Sequence, residues 1–298
     1  MTRGINRNPI LAQIKKQLTM KSIQLNNGTE IPSIGFGTWQ IPDGNEAYQA
    51  VREALHAGYT HIDTAAIYGN EKSIGKAIKD SGIDRHSLFV TTKLWNTERG
   101  YDKTTAAFEK SLNDLQMDYV DLYLIHWPAN ETQFEHWAKI NADTWRAFED
   151  LYEQGKVKAV GVSNFPKEYL EKLLETAKVV PAVNQIEFHP GYLQKDTVAL
   201  CQSNGILVQA WSPLGSGRIL RDETLLKLAK EKNTSVGQIC IKFALSQGIL
   251  PLPKSTNPDN IKRNLAIDSF ELTEDDIKTI QSLPEMGFSG SNPKTVAF

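Results

Sequence analysis

Apolar residues along the chain form short, nearly unbroken runs, each followed by a longer stretch with a helical pattern. The runs are IGFGTW (34–39), THIDTA (60–65), LFVTTKLW (88–95), YVDLYLIHW (119–127), VKAVGVSNF (157–165), AVNQIEF (182–188), ILVQAWSPL (206–214) and ILPLP (249–253). The predicted helices are 46–57, 71–80, 102–116, 142–154, 167–176, 195–203, 222–232, 235–247, 257–264 and 274–282. Nearly continuous apolar strands are typical of a parallel sheet, because helices bury both of its faces. Eight strand–helix units without a break in composition therefore predict one closed (β/α)8 TIM barrel of the α/β class.

The segment before the first unit predicts an N-terminal β-hairpin. In SIQLNNGTEIP (22–32) apolar and polar residues alternate around Asn27–Gly28, a pair that tolerates the positive φ angles of a tight turn. The hairpin and the eight units together give a single barrel domain over residues 21–298.

Residues 1–20 are expected to be an extension to that domain. The segment is basic, but serine is scarce in it and its apolar run is only PILA, which argues against a targeting peptide. Met20 begins a stretch, MKSIQLNNGTEIP, that resembles a natural start. A disordered extension or an upstream start codon is therefore the expectation for residues 1–20.

Composition and charge narrow the classes of partner. The 298 residues carry a formal net charge of −2 with a pI near 6.3, which offers no basic excess for nucleic acid or an anionic membrane. No run approaches the roughly 18 apolar residues of a membrane span. Cys201 and Cys240 form no C-x-x-C pair, and H-x-H and H-E-x-x-H motifs are absent. We expect a reduced, cytoplasmic monomer or weak dimer that binds a small molecule and no metal.

Polar residues stand where the predicted strands end, and a barrel brings these ends into one mouth. They are Asp63, Tyr68, Lys93, His126, Ser163, Asn164 and Gln185. Asp63, Lys93 and His126 come from three consecutive strands, so they can converge although they are distant in the sequence. The predicted active site is at this mouth.

The combination of a phenol, an ammonium and a carboxylate suits acid catalysis. A phenol with its ordinary pKa near 10 is a poor donor at neutral pH, and a nearby ammonium lowers that pKa. We therefore expect Tyr68 to donate a proton, Lys93 to lower its pKa, and Asp63 to keep Lys93 charged and fixed. His126 can orient a substrate oxygen. The arrangement suits reduction of a carbonyl, whose oxygen gains negative charge when hydride reaches the carbon.

These residues resemble the aldo-keto reductases, and the resemblance runs from about residue 22 to the end. The matching motifs are DTAAIYGNE, TTKLWN, YLIHWP, GVSNF, NQIEFHP, SPLG and PKS. The resemblance implies an NADP(H)-dependent oxidoreductase with the catalytic residues Asp63, Tyr68, Lys93 and His126. It implies carboxamide contacts from Ser163, Asn164 and Gln185, stacking by Trp211, pyrophosphate contacts along Ser212, Pro213 and Leu214, and 2′-phosphate contacts from Lys254 and Ser255.

One position departs from the pattern of the family. Asn260 stands where the family usually has a phosphate-binding arginine, and Arg263 and Asn264 follow it. Arg263 lies one helical turn further on nearly the same face, so it can compensate. NADP(H) is the expected cofactor, and NAD(H) stays open.

The resemblance is strongest to bacterial members similar to 2,5-diketo-D-gluconate and glyoxal reductases. It implies that aldehydes, dicarbonyls and keto sugars are the substrates. The residues expected around the reacting carbonyl are Trp39, Ile67, Trp95, Trp127 and Phe288.

Other classes of protein fit less well. A doubly wound dinucleotide fold needs G-x-G-x-x-G, and GFGTWQ and GSGRIL both lack the third glycine. YGNEK, 68–72, has the Y-x-x-x-K spacing of short-chain dehydrogenases, but Gly69 and Asn70 break the helix that this motif needs. A barrel glycosidase needs two carboxylates roughly 5–9.5 Å apart, and Glu187 has no obvious partner. A non-enzymatic nucleotide-binding barrel is the remaining alternative.

Overall fold

The large sheet of the protein is a closed parallel barrel. The computed structural model describes residues 21–297, and the extension predicted at residues 1–20 lies outside the described residues. The barrel strands are β3 (Phe36–Gly37), β4 (His61–Asp63), β5 (Phe89–Leu94), β6 (Val120–Ile125), β7 (Val157–Ser163), β8 (Val183–Glu187), β9 (Leu207–Trp211) and β10 (Leu250–Leu252). Neighbouring strands pair in parallel in chain order. The N–H groups of Gly35 and Gly37 donate to the carbonyls of Pro251 and Pro253, each at 3.1 Å, and so join the first strand to the last. The predicted (β/α)8 barrel is confirmed.

Helices cover the outside of the barrel and follow the predicted segments, except that the fourth begins at Trp137 rather than near residue 142. They are α1 (Asn45–Ala57), α2 (Glu71–Ser81), α3 (Tyr101–Leu115), α4 (Trp137–Glu153), α5 (Lys167–Leu174), α6 (Lys195–Ser203), α7 (Glu223–Glu231), α8 (Val236–Ser246), α9 (Pro258–Leu265) and α10 (Glu274–Gln281). The start of α9 is set by Asn257, whose side chain accepts from the N–H groups of Asp259 and Asn260. Proline at the first helical position is compatible with this start, because a backbone N–H there would have no hydrogen-bond acceptor within the helix.

The N-terminal hairpin closes the end of the barrel where the strands begin. β1 (Ser22–Gln24) pairs antiparallel with β2 (Glu30–Pro32), and Gly28 in the turn takes a φ of 86°. The Asn26 and Asn27 side chains donate to the carbonyls of Pro181 and Lys158, next to β8 and in β7. Apolar side chains of the hairpin pack against the barrel interior, in a cluster formed by Leu25, Ile31, Phe89, Leu122, Leu124, Ala159, Ala182, Val183, Leu250 and Leu252. The opposite end, where the strands finish, is left for the site.

Residues 21–297 contain no helix that is both long and apolar enough to cross a membrane. Cys201 and Cys240 are unpaired and buried, and burial raises the pKa of the Cys201 thiol to about 11.

His61 is a fully buried histidine inside the barrel. Its Nε2 lies 3.0 Å from Thr91 Oγ1, and its ring packs edge-on against Phe89 at 5.0 Å. Burial, and secondarily the charge of Lys93, lower the pKa of His61 to about 3. The imidazole is therefore neutral in the folded chain across the physiological range.

This neutral histidine should make the free energy of unfolding depend on pH. Below its ordinary pKa of about 6.5 the unfolded chain binds a proton that the folded chain does not, so acid favours unfolding until the folded pKa is reached. We expect His61 alone to lower the free energy of unfolding by about 2 kcal/mol between pH 7 and pH 5. Urea unfolding of His61→Gln should show a pH dependence smaller by that amount, whereas the exposed His56→Gln should behave as wild type. An unchanged pH dependence in His61→Gln would contradict the assignment.

Candidate active site

A cavity of about 920 Å³ lies at the end of the barrel where the strands finish. Most of the site residues predicted from the sequence line it: Trp39, Asp63, Ile67, Tyr68, Trp95, His126, Trp127, Ser163, Asn164, Gln185, Trp211, Ser212, Pro213, Leu214, Lys254, Ser255, Arg263 and Asn264. Lys93 is fully buried behind this wall. The structure thus brings together residues that are up to 225 positions apart, from 39 to 264.

A buried ion pair lies at the floor of the cavity. Lys93 Nζ is 2.6 Å from Asp63 Oδ1, and it also donates to the Thr64 carbonyl at 2.8 Å and to Tyr68 Oη at 3.4 Å. Three acceptors match the three N–H groups of an ammonium. Asp63 and Lys93 lie on the adjacent strands β4 and β5, which explains their convergence.

Tyr68 is held beside this ion pair by a short turn. A 3₁₀ turn (Ala66–Tyr68) ends at Gly69, which has a φ of 70°. The buried Asn70 side chain accepts from Thr64 Oγ1 at 2.9 Å and donates to the carbonyls of Thr38 and Ile41. Asn70 therefore ties the turn to the loop after β3. Because Tyr68 Oη accepts from Lys93, its own proton is free to point into the cavity.

The direction of the Tyr68 pKa shift is opposite to the expectation from the sequence. Burial raises the pKa of Tyr68 well above 10, and the Asp63 carboxylate raises it further. The positive charge of Lys93 is paired with Asp63 at 2.6 Å, so its favourable effect on the phenolate does not outweigh burial and the Asp63 charge. Burial also lowers the pKa of Lys93. Tyr68 therefore keeps its proton at neutral pH, as a proton donor must before it acts.

His126 lies over the phenol as a neutral imidazole. Its ring packs edge-on against Tyr68 at 5.6 Å and against Trp95 at 5.4 Å. Burial, followed by the charge of Lys93, lowers the pKa of His126 well below 6.5. The neutral imidazole can thus form a hydrogen bond with a ligand oxygen, but near pH 7 it does not carry the extra proton that a general acid would transfer.

Amide and hydroxyl groups form a connected cluster beside the ion pair. Asn164 Nδ2 donates to the His126 carbonyl at 2.9 Å, and Asn164 Oδ1 accepts from Trp211 Nε1 at 2.8 Å. Ser163 Oγ donates to the Gln185 carbonyl at 2.7 Å. Asn164 has a φ of 63°, a left-handed conformation that asparagine adopts more readily than most residues. The indole of Trp211 is fixed by this network.

Gln185 connects the amide cluster to the ion pair, and sequence reasoning missed the residue behind it. Gln185 Nε2 donates to Asp63 Oδ2 at 2.8 Å and to Gln209 Oε1 at 2.9 Å. Gln209 is buried inside the barrel, and the apolar run that contains it gave no sign of this contact. With Nε2 occupied, the carboxamide oxygen of Gln185 is the group left for a ligand.

A second part of the cavity is cationic. Lys254, Ser255, Asn260, Arg263 and Asn264 line it, after β10 and along α9. Lys254 and Arg263 are exposed, and neither forms an ion pair with another residue of 21–297. Arg263 is thus placed in the same wall as Asn260, where the sequence departs from the family pattern.

The aromatic part of the cavity differs from expectation at one residue. Trp39 and Ile67 line it and are unusually exposed for large apolar side chains, at 44% and 46%. Phe288 is not among the lining residues, because its ring stacks on Tyr192 at 4.8 Å. Two serines of the C-terminal tail, Ser289 and Ser291, line the cavity instead.

Several lining residues were missed in the sequence. They are Gly37, Gln40, Ser216, Gly217, Leu220, Ser235, Val236, Gly237, Leu252, Pro253, Ser289 and Ser291. Gly37 and Leu252 end strands β3 and β10, so the strand-end rule could have found them. The tail serines carry no comparable signal, since nothing in the sequence indicates where an irregular segment folds back.

The barrel agrees with comparisons to known proteins. A model of the Aldo/keto reductase family matches residues 33–285. Glyoxal reductase of Bacillus subtilis (strain 168) is 45% identical over 277 residues, which cover 93% of this chain and 98% of that protein. The crystal structure of an aldo-keto reductase from a Medee basin deep-sea metagenome library has 45% identity and a TM-score of 0.87, covering 93% of this chain and 100% of that one. An aldo-keto reductase of Bombyx mori in complex with NADP has 36% identity and a TM-score of 0.82, covering 91% and 95%.

Proposed function

The chain belongs to the aldo/keto reductase family, and from this premise we propose that it reduces small aldehydes, dicarbonyls or keto sugars to alcohols with NADPH. The observation that carries the proposal is the position of Tyr68 Oη, 3.4 Å from the buried Lys93–Asp63 pair and in the wall of the cavity. The similarity to glyoxal reductase of Bacillus subtilis supports the substrate class. The similarity to the Bombyx mori aldo-keto reductase in complex with NADP supports the cofactor.

The residues of the cavity fit a nicotinamide nucleotide. The free carboxamide oxygen of Gln185 and the hydroxyl of Ser163 offer partners for an amide, and the indole of Trp211 offers a flat face. Ser212, Pro213 and Leu214 follow β9 and line the cavity beyond Trp211, where we place the pyrophosphate. When bound, the nicotinamide supplies hydride to the carbonyl carbon.

Lys254 and Arg263 are the groups that we assign to a 2′-phosphate. Both cations lack a carboxylate partner among residues 21–297, so a dianionic group would be their first close counter-charge. Ser255 and Asn264 add a hydroxyl and an amide to the same wall. We infer that Arg263 takes the part of the arginine that Asn260 replaces.

The proton comes from Tyr68 in this proposal. His126, neutral and adjacent to the phenol, forms a hydrogen bond with the substrate oxygen and orients it. As hydride reaches the carbon, the oxygen becomes more basic and takes the Tyr68 proton. The Lys93 ammonium stabilises the phenolate that is left, and Asp63 holds Lys93 in place. Solvent then returns a proton to the phenolate.

Substrate size follows from the aromatic wall. Trp39, Ile67, Trp95 and Trp127 surround the position of the carbonyl, and Ser289 and Ser291 add hydroxyl groups. Indoles favour a compact apolar body, and the Ser291 hydroxyl can donate to a second oxygen, as in a dicarbonyl or a keto sugar.

We further propose that residues 21–298 form one reductase domain that works in the cytoplasm as a monomer or weak dimer. The unpaired, buried cysteines support a reducing compartment. Trp39, Ile67, Val180 and Leu226 are the large apolar side chains of residues 21–297 with the greatest exposure, and the first two belong to the cavity wall. The remaining two are single residues rather than an apolar patch.

Absorbance at 340 nm, followed separately with NADPH and NADH, tests the proposal. Methylglyoxal, a keto sugar, xylose and an aromatic aldehyde are the carbonyl probes. We expect turnover with NADPH, and a KM for NADPH that rises roughly tenfold in Lys254→Ala and in Arg263→Ala, because each loses a charge-assisted hydrogen bond. The KM for NADH should not change.

Lys262→Ala is the matched control, since Lys262 neighbours Arg263 on α9, is exposed, and does not line the cavity. Nucleotide binding without turnover of any probe would instead indicate a binding module. Sugar release in the absence of nucleotide would indicate a glycosidase.

A further inference from the structure

A buried carboxylate lies next to the cavity without lining it. Glu187 ends β8 and is 2% exposed. Its Oε1 accepts from the Ser289 N–H at 3.0 Å, and its Oε2 accepts from Ser289 Oγ at 2.7 Å. Arg218 Nη2 and His189 Nε2 lie 3.3 and 3.4 Å from Oε1. A buried charge is costly unless it is bonded in this way, so the position is specified by its partners.

Two of the partners of Glu187, Arg218 and Ser289, come from segments that are far apart in the sequence. Arg218 belongs to residues 212–222, the β9 loop, and Ser289 belongs to residues 284–297, the C-terminal tail. Arg218 also donates through Nε to the Gly287 carbonyl of the tail at 2.7 Å. A Cβ on Gly287 would lie 2.5 Å from Ile219 Cγ2, so the tail backbone packs directly against the loop. Glu187 and Arg218 therefore fasten the loop to the tail.

Both segments form walls of the cavity. The β9 loop contributes Ser212, Leu214 and Leu220, and the tail contributes Ser289 and Ser291. Beyond these serines the tail is held separately, because Asn130 Nδ2 donates to the carbonyls of Pro293 and Val296. The stretch near Ser289 takes its position from Glu187, from the loop and from residues 191–192, since the Met286 N–H donates to the Gly191 carbonyl at 3.1 Å and Phe288 stacks on Tyr192.

We propose that Glu187 is a positioning residue that joins the β9 loop to the tail, so that nucleotide held along the loop and carbonyl held against the tail bind cooperatively. The inference rests on the proposed function for the identity of the two ligands. A shift of the loop would break both Arg218 contacts, one to Glu187 and one to the Gly287 carbonyl of the tail, whereas a nucleotide that fixes the loop also favours the bonded position of the tail. Such coupling through a shared element affects both ligands reciprocally.

We call the set of contacts from Glu187 and Arg218 that connects the β9 loop to the tail the joint. Steady-state kinetics with NADPH and methylglyoxal test it. Glu187→Gln keeps the shape of the side chain and removes its charge, and Arg218→Met removes both contacts of the guanidinium. Neither residue lines the cavity, so neither change removes a direct ligand contact. We expect each variant to raise both the Kd for NADPH and the KM for methylglyoxal three- to tenfold, while kcat changes less than twofold because Tyr68 and Lys93 are untouched.

The double variant and a matched arginine distinguish a joint from general damage. Glu187→Gln/Arg218→Met should be no worse than the more affected single variant, because both changes break the same connection. Arg221→Met is the control, since Arg221 is an exposed arginine of the same loop that does not line the cavity. The proposal would be overturned if the two changes had additive effects, or if Arg221→Met had the same effect. It would also be overturned if only the Kd for NADPH or only the KM for methylglyoxal changed, or if only kcat fell.

Hydrogen exchange of the tail gives a readout that does not need turnover. The Ser289 N–H donates directly to Glu187, so its exchange rate reports the joint. NADPH should slow exchange in residues 212–222 and 286–291 of the wild type, and in Glu187→Gln it should slow exchange in residues 212–222 alone. Equal protection of the tail in both proteins would contradict the joint. Absence of wild-type turnover would count against the proposed function, and the exchange result would still decide the coupling.

Discussion

Tyr68→Phe should lower kcat/KM for methylglyoxal by roughly 10²- to 10⁴-fold, the range that a positioned general acid contributes. The phenol is the proton donor of the proposed reaction, and its hydroxyl accepts from Lys93 at 3.4 Å while keeping its own proton for the substrate. Phenylalanine fills the same space next to His126, so the cavity and its nucleotide contacts should survive. The Kd for NADPH, measured by fluorescence, should therefore stay near the wild-type value.

The control for this change is another tyrosine. Tyr48 donates to Asp80 on the surface of the protein, outside the cavity. Tyr48→Phe should reduce methylglyoxal as the wild type does. Undiminished turnover in Tyr68→Phe, with nucleotide still bound, would show that the proton comes from elsewhere.

Lys93→Met should abolish most of the activity and also destabilise the fold. The ammonium is fully buried and bonded to Asp63, so its removal leaves a buried carboxylate without its counter-charge. Breaking a buried pair in this way costs about 3–5 kcal/mol of the free energy of unfolding. Urea unfolding, followed by circular dichroism, measures the loss of stability, and NADPH oxidation measures the loss of activity.

A second variant separates the two effects. In Asp63→Asn/Lys93→Met the unpaired charge is gone and the side chain can still accept from Gln185, so most of the stability should return while activity stays low. Lys76→Met, which breaks an exposed pair with Asp80 on α2, should leave stability close to that of the wild type. If Lys93→Met were as stable as Lys76→Met, the buried pair would not contribute to the fold as proposed.

The contrast between the two variants follows from where each side chain lies. Tyr68 has one edge in the cavity, whereas Lys93 lies behind the wall and is bonded on three sides. Tyr68→Phe should therefore lower activity without lowering the free energy of unfolding, whereas Lys93→Met should lower both.

The sequence by itself determined the architecture and the residues that meet at the floor of the cavity. Apolar runs mark strands buried on both faces, and eight of them in alternation with helices leave the barrel as the architecture that buries them all. Once the barrel is assumed, Asp63, Lys93 and His126 must meet, because parallel strands present their carboxyl ends to one mouth. The motifs around Trp211 and Lys254 extended the site along the same edge.

Only the tertiary structure decided the features that depend on burial and on contacts between distant segments. The pKa of Tyr68 rises because desolvation and Asp63 dominate over an ammonium that is already paired, and a sequence does not give that balance. Gln209 accepts a hydrogen bond from Gln185 inside the barrel. Phe288, which was expected in the cavity wall, stacks on Tyr192, and Ser289 lines the cavity instead. Glu187, which the sequence left without a partner, bonds two irregular segments. Periodicity records which residues are buried along an element, but the path of a loop or a tail is set by packing between elements, which leaves no local pattern.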